Sequence, residues 1–330
     1  MPTIPVAEDA RRSASGQLHH IGLLRFSGPD AGAFLQGQVS NDTRRLSGHE
    51  TLLAAYCTPQ GRVISLLRLL PHSSGIIALL PRDVLSRTLQ GLRKFVLRAK
   101  VDIADVSEQW SVIGQYGAEA LRAAGLPIPG DVPIPGGVPS PGDVKGYVEE
   151  AGLGVGRVAE GSGRYWLIGP AAALAARGFA GGGQDALTVE RDWRLSDIRA
   201  GLPQVYAASS ELFTPQMLNL DLIDGISFTK GCYTGQEIVA RTQHLGRIKR
   251  RMFRLALPPG DWAVGQALRL VDGRAGRLTE IASERGEFAA LAVLNIEPGA
   301  ADGEAAPHEA VAARELPLPY SMLASAGPDR

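Results

Sequence analysis

Residues 230–237 (KGCYTGQE) place a thiol, a lysine and two glycines within one short segment. Cys232 lies two residues from Lys230 and just before a predicted helix N-terminus, where Gln236 and Glu237 are favourable first-turn residues. A nearby cation and the positive end of a helix both favour the thiolate, which is the form that attacks electrophiles and binds metals. The pattern therefore predicts Cys232 as a functional thiol with Lys230 as its neighbour. The alternative is a buried, inert cysteine.

The other cysteine, Cys57, lies in an apolar stretch between Tyr56 and Thr58, which predicts a structural role. Two cysteines are too few for a disulfide scaffold or for a four-thiolate metal site within one chain. The six histidines have no metal-binding spacing relative to the cysteines. We therefore expect two reduced thiols and no resident metal ion.

The charge of the chain is balanced, with 34 Lys and Arg against 34 Asp and Glu in 330 residues. A neutral chain does not predict nucleic acid as a direct partner. Residues 1–16 contain no signal-peptide pattern, and no stretch is long and apolar enough to span a membrane. No Gly-rich phosphate loop of the nucleotide-hydrolysing type is present. These features predict a soluble, cytoplasmic protein without a membrane partner.

The local patterns predict a mixture of helices and strands. Three segments indicate a strand, a turn and a short helix: 21–35, 110–121 and 165–176. In the first of them, Ser27 is the expected helix cap. Helical spacing also predicts helices over 84–96 and 189–200, with a strand over 97–103 between them. The Pro- and Gly-rich residues 125–146 predict a surface loop inside a domain.

Beyond Arg247 the chain changes to short apolar runs that are separated by glycine and proline, as in small β-barrels. The runs are 252–257, 267–271 and 288–294. This change predicts a separate C-terminal β domain.

With these elements in place, residues 230–237 resemble the signature of the YgfZ family, a branch of the aminomethyltransferase (glycine-cleavage T-protein) superfamily. We call them the signature segment. Four further motifs agree with that family in order: FLQGQV (34–39), PQGR (59–62), AGLP (200–203) and LPLPY (316–320). The resemblance implies an α+β, T-protein-like folate-binding fold. It assigns two α+β modules to residues 1–245, a small β-barrel to 246–322 and a tail to 323–330.

The resemblance also implies a function. YgfZ-like proteins are expected to be folate-binding accessory proteins for iron–sulfur cluster assembly or repair, which support tRNA modification indirectly. The expected cofactor is tetrahydrofolate or a polyglutamated folate, and the expected partners are iron–sulfur proteins or assembly factors. Two alternatives stay open: a folate-dependent one-carbon transferase, and a protein that takes part directly in tRNA modification.

Folate recognition needs a flat aromatic surface and cations for the glutamate tail. Trp193 matches a family tryptophan implicated in folate binding, whereas a second one falls on Ile21. The alternative for Trp193 is a core aromatic residue. The candidate folate contacts are Trp193, Asp197, Arg199, Tyr233, Gln236, Glu237 and Arg247.

The resemblance argues against aminomethyl transfer by this chain. T-proteins carry a pair of aspartates at the positions that Ser65 and Leu66 occupy here, and their pterin-contacting glutamate falls on Arg199. Neither Ser65 nor Leu66 can act as a carboxylate base. We therefore do not expect an aminomethyltransferase, although another enzymatic activity stays open.

Six cations follow the signature segment without an intervening acid: Arg241, Arg247, Lys249, Arg250, Arg251 and Arg254. Such a run is usually a solvated surface, and that is the first interpretation. A site for a polyglutamate tail or phosphate is the second, and nucleic acid is the third.

Overall fold

The computed structural model of the chain describes residues 14–47, 49–129, 146–159, 163–179, 186–244, 247–284, 286–298 and 309–322. Most of the predicted Pro- and Gly-rich loop (130–145) and the predicted tail (323–330) lie outside these ranges. The described residues form an α+β structure built on three sheets, which confirms the predicted fold class.

The described strands are, in chain order, β1 (Ser15–Gln17), β2 (Ile21–Ser27), β3 (Leu52–Cys57), β4 (Val63–His72), β5 (Gly75–Pro81), β6 (Asp102–Asp105), β7 (Trp110–Tyr116), β8 (Tyr147–Glu150), β9 (Leu153–Arg157), β10 (Arg164–Pro170), β11 (Arg250–Leu257), β12 (Ala267–Leu270), β13 (Ala275–Glu284), β14 (Glu287–Asn295), β15 (Ala310–Val311) and β16 (Arg314–Leu316). The described α-helices are α1 (Ala31–Gln36), α2 (Arg82–Arg93), α3 (Glu119–Ala123), α4 (Ala171–Ala176), α5 (Ala186–Arg199) and α6 (Gln236–His244). Short 3₁₀ turns lie at Thr43–Ser47, Ala207–Ser209 and Pro215–Leu218.

Each sheet corresponds to one module. The N-terminal sheet has the strand order β3-β4-β5-β2-β6, and the middle sheet has the order β1-β7-β10-β9-β8. The C-terminal sheet has the order β15-β12-β13-β14-β11-β16. Among the described strands, every pairing is antiparallel except that of β12 with β15. Because β1 pairs with β7, the first described strand lies in the middle sheet, before the chain enters the N-terminal one.

The N-terminal sheet is covered on both faces, which explains why its strands are continuous apolar runs rather than alternating ones. One face packs against α1 and α2. The other face meets the middle sheet at one end. At its other end it meets α5, the segment 205–226 and the C-terminal sheet. The second face of the N-terminal sheet is therefore where all three modules come together.

The three predicted strand–turn–helix units are confirmed as β2–α1, β7–α3 and β10–α4. Two details were wrong. Ser27 ends β2, and α1 begins after Asp30, whose carboxylate accepts a hydrogen bond from the Lys100 amide at 2.6 Å. The strand expected over 97–103 begins only at Asp102, because the chain leaves α2 in an exposed turn where Leu97 is 85% exposed.

The C-terminal sheet contains the three predicted apolar runs as β11, β12 and β14. Strand β13 was missed because its sequence, AGRLTEIASE, mixes polar and apolar residues. It nevertheless pairs on both sides, with β12 and β14. The sheet forms a half-barrel that encloses its own apolar core.

Candidate functional site

Lys230 anchors the signature segment to the N-terminal module. Its ammonium group donates hydrogen bonds to the carbonyls of Gln36, Val39 and Asn41, at 2.8, 2.6 and 2.8 Å. The side chain is buried, and burial lowers the pKa of Lys230 to about 8. An ammonium group has three hydrogens, so all of them are used. Lys230 is therefore occupied by the N-terminal module, and its charge can act on the neighbouring thiol only through space.

Tyr233 is the second anchor. Its ring is buried and lies 5.0 Å from the Lys230 ammonium, and burial raises the pKa of the Tyr233 hydroxyl. Its backbone N–H donates to Gln236 Oε1 at 3.1 Å, and its carbonyl accepts from the Gln236 N–H at 3.1 Å. Gln236 therefore closes the first turn of α6, as its predicted position at the helix start suggested. Between the two anchors, Gly231 and Cys232 are exposed.

Two glycines let the PQGR motif approach the start of α6. Gly235 has φ +84°, and a Cβ at this position would lie 2.5 Å from the Thr58 carbonyl oxygen. Gly61 has φ +69°, and its Cβ would lie 3.0 Å from Ile238 Cβ. A side chain at either position would combine strain with a clash. The turn between β3 and β4 is thus packed directly on the helix that follows Cys232.

The remaining two motifs join the same region. Tyr320 of LPLPY donates its hydroxyl to the Gly201 carbonyl of AGLP at 2.9 Å. The same hydroxyl accepts from Asn219 Nδ2 at 3.3 Å. Leu318 packs on the core that also contains Cys57 and Val239. Motifs that are far apart in sequence are therefore in contact: the signature segment binds FLQGQV and packs on PQGR, and LPLPY binds AGLP.

The two cysteines have opposite environments. Cys57 is 1% exposed, and burial raises the pKa of its thiol to about 12, which agrees with the predicted structural role. Cys232 is exposed, on the loop between the two anchors. The fold therefore presents one thiol to the surroundings and protects the other.

Trp193 is a core residue in this structure. Its side chain is 2% exposed and its ring meets the edge of Tyr116, with centroids 5.5 Å apart. The Arg164 guanidinium lies 5.0 Å from the ring centroid, and a Cβ on Gly114 would lie 2.6 Å from the ring. The expectation that Trp193 offers an open stacking surface is therefore wrong for this conformation, because α5 turns the residue into the middle sheet.

A charged cluster that the sequence analysis missed lies beside Trp193. Asp197, a predicted folate contact, accepts a hydrogen bond from Arg164 Nη1 at 2.8 Å, and both side chains are buried. Arg68 of β4 is the third member, with its guanidinium 5.0 Å from the ring of Trp166. The sequence feature that could have identified Arg68 is its position as a single cation inside the apolar run VISLLRLL.

The other predicted contacts do not form one surface. Arg247 pairs with Glu297, Glu237 is exposed on α6, and Arg199 is partly exposed at the end of α5. Arg251 is buried and paired with Asp221 through contacts of 2.5 and 2.8 Å. The basic run is therefore divided, because successive residues of β11 point to opposite faces of the sheet.

The positions of the missing aspartates are closed to solvent. Ser65 lies opposite Tyr56 on the face that packs against α1 and α2, and Leu66 lies on the face where the modules meet. Both are buried. Neither supplies a carboxylate to this region.

A cleft of about 270 Å³ lies between α5, β13 and β14. Its lining residues are Glu190, Arg191, Arg194, Ile281, Ala282, Ser283 and Phe288. Arg194 is held there by Glu280, with Nε 3.0 Å from Oε1. None of the predicted folate contacts lines this cleft. The volume of the cleft is nevertheless close to the lower limit for small-ligand pockets, which is about 300 Å³.

Comparison with known proteins identifies the family. A tRNA-modifying protein YgfZ from Edwardsiella ictaluri (strain 93-146) is 35% identical over 250 residues, which cover 75% of this chain and 70% of the relative. YgfZ from Serratia proteamaculans (strain 568) is 33% identical over 267 residues, with coverages of 79% and 72%. YgfZ from Hamiltonella defensa subsp. Acyrthosiphon pisum (strain 5AT) is 29% identical over 293 residues, with coverages of 86% and 79%. The chain belongs to the YgfZ family.

The YgfZ chain also shares its fold with a solved aminomethyltransferase. The crystal structure of glycine cleavage system aminomethyltransferase T from Bartonella henselae superposes with a TM-score of 0.58 at 14% identity. The match covers 88% of this chain and 81% of that one, and it confirms the T-protein-like fold. No family model matches the chain. Among the described residues, no helix has the length and apolar character required to cross a membrane.

Proposed function

We propose that this YgfZ protein is a thiol-dependent accessory factor that supports tRNA modification through iron–sulfur proteins, with Cys232 as its functional group. The observation that carries the proposal is the presentation of Cys232, an exposed thiol between two buried anchors. The link to tRNA modification comes from the relatives, which are named tRNA-modifying proteins.

The construction around Cys232 supports a chemical role rather than a structural one. Three backbone acceptors, a buried tyrosine and two closely packed glycines restrain the backbone around a side chain that is itself left exposed. Restraint of this kind lowers the entropy cost of bringing the thiol to a partner. A buried structural cysteine would not need it.

The thiol is expected to act together with a partner's groups. The described residues contain no group of three His, Cys, Asp or Glu that could hold a metal ion. Cys232 would therefore supply one sulfur to a cluster that the partner also ligates, or attack one sulfur of a disulfide in the partner, which breaks that S–S bond and releases the other sulfur as a thiolate. Both roles need the thiolate form.

We further propose tetrahydrofolate as the small-molecule ligand. Its support is the likeness in fold to an aminomethyltransferase T, together with the match of the motifs to the YgfZ signature. Since Trp193 is enclosed, the ligand must use other groups where the modules meet. Aminomethyl transfer is not part of the proposal, because Ser65 and Leu66 provide no carboxylate.

The test is complementation of cells that lack the protein, with Cys232→Ser and the matched variant Cys57→Ala. We expect Cys232→Ser to fold normally, to keep folate binding and to fail to restore a cluster-dependent tRNA modification, measured by mass spectrometry of nucleosides. Cys57→Ala should restore it. Full restoration by Cys232→Ser would show that the thiol is dispensable. Loss of folate binding together with activity would show that Cys232 is only part of a ligand cleft.

A further inference from the structure

Arg68 occupies an unusual place for a cation. It lies in β4 between Leu66 and Leu70 on the face where the modules meet, opposite Leu53 of β3. Leu66 and Leu53 belong to the core shared with the C-terminal sheet, and Leu70 to the core shared with the middle sheet. The guanidinium group is therefore directed to the boundary between two apolar cores.

The protein groups around Arg68 do not neutralise it. Within the part of the chain that the structure describes, no acceptor forms a hydrogen bond or an ion pair with its guanidinium. The charged groups that act on it are Asp197 and Arg164, one of each sign. The Asp197 carboxylate is itself bonded to Arg164 at 2.8 Å. The contact that remains for Arg68 is the ring of Trp166, 5.0 Å away.

This arrangement is costly without a further anion. A cation that is withdrawn from water destabilises the fold unless an opposite charge and hydrogen bonds compensate. Burial lowers the pKa of Arg68 to about 10, which is the direction expected for an incompletely compensated cation. The group is still protonated at neutral pH, so its charge is retained in the core.

Part of the surface of Arg68 is exposed to solvent. Its neighbours Leu53, Leu66 and Leu70 on the same face of the sheet are buried. A second polar group lies nearby. Thr51 is buried, and its hydroxyl has no partner among the described residues. Thr51 Cγ2 and Trp166 Cε3 each lie 3.6 Å from the point that a Cβ on Gly156 would occupy.

We propose that Arg68 binds an oxyanion of a small ligand, a carboxylate or a phosphate, beside Trp166 and with the Thr51 hydroxyl as a second donor. A planar guanidinium with free N–H groups forms paired hydrogen bonds with either anion. Folate carries carboxylates, so this inference rests on the proposed function for the identity of the ligand. The anion site itself does not depend on the thiol.

The first experiment uses Arg68→Met, which keeps the length of the side chain and removes its charge. In a Tris buffer without polyvalent anions, we expect the variant to melt at the same temperature as the parent or higher. Inorganic phosphate should raise the melting temperature of the parent and leave that of the variant unchanged. Arg98→Met, at an exposed arginine, is the matched control and should respond to phosphate like the parent.

The second experiment titrates 5-formyltetrahydrofolate while tryptophan fluorescence is recorded. We expect Arg68→Met to bind the folate at least about tenfold more weakly than the parent, as for the loss of a charge-assisted hydrogen bond. The affinity of Arg68→Lys should lie between those of Arg68→Met and the parent. If Arg68→Met does not fold, Arg68→Lys is used instead. We then expect phosphate to raise its melting temperature less than that of the parent, and folate to bind it more weakly.

The outcomes separate this inference from the proposed function. Equal folate affinity in parent and variant would keep folate as the ligand and overturn the assignment of Arg68. A phosphate response that requires Arg68, without any folate binding, would keep the anion site and overturn the folate proposal. If Arg68→Met is strongly destabilised and phosphate acts equally on both proteins, Arg68 is a structural residue and the inference fails.

Discussion

Iodoacetamide should alkylate Cys232 much faster than Cys57. Burial raises the pKa of the Cys57 thiol from 9.0 to about 12, and each pKa unit changes the thiolate fraction tenfold at pH values below both. The thiolate fraction of Cys57 at pH 8 is therefore reduced about a thousandfold by its environment. Steric closure adds to this, because only 1% of the residue is exposed. Cys232 is exposed, so iodoacetamide should modify it first.

The assay is mass spectrometry of the intact protein during reaction with iodoacetamide at pH 8. We expect one adduct per chain in native buffer, located at Cys232 by peptide mapping, and a second adduct only in denaturant. Cys232→Ser should acquire no adduct under native conditions, and Cys57→Ala should react at the rate of the parent. Similar native rates for the two thiols, or preferential modification of Cys57, would refute the environments described here.

Three other predictions concern stability, measured by urea unfolding. Lys230→Met removes the donor from three carbonyls and should cost about 3–5 kcal/mol, whereas Lys249→Met at an exposed lysine should change stability by less than about 0.5 kcal/mol. Trp193→Ala should cost about 3–5 kcal/mol as a core truncation, and a cost below about 1 kcal/mol would contradict its enclosure. The raised pKa of Cys57 means that the unfolded chain loses this proton first, so between pH 9 and 12 the parent should lose stability relative to Cys57→Ala, by up to about 1.4 kcal/mol per pH unit. Parallel pH profiles of these two proteins would show that the thiol is not protected.

The elements were predictable where local patterns agree with the tertiary structure. The strand–turn–helix units and helix α2 follow from apolar spacing, since one face of each must be buried. Strand β13 was not predictable in this way, because its pairing with β12 and β14 compensates for a weak local pattern. The exposed turn around Leu97 was missed for the opposite reason, as its local sequence is typical of a strand.

The site was predictable in its composition but not in its contacts. The signature segment drew attention to Cys232 and Tyr233, and the structure places an exposed thiol and a buried ring just before α6, while their roles stay predictions. Its lysine has a different role, since the three carbonyls that it binds lie about 190 residues earlier in the chain. Sequence spacing carries no information about such long-range acceptors.

By itself the sequence determined the family, the fold class and the candidate thiol Cys232, because motifs, apolar periodicity and cysteine count are local properties of the chain. Only the tertiary structure decided that Cys57 is closed to solvent, that Trp193 has no free face and that Arg68 lies between two cores without an ion-pair partner among the described residues. These properties depend on which sheets pack together. Burial and charge compensation are sums over neighbours that are distant in sequence, and those neighbours exist only after folding.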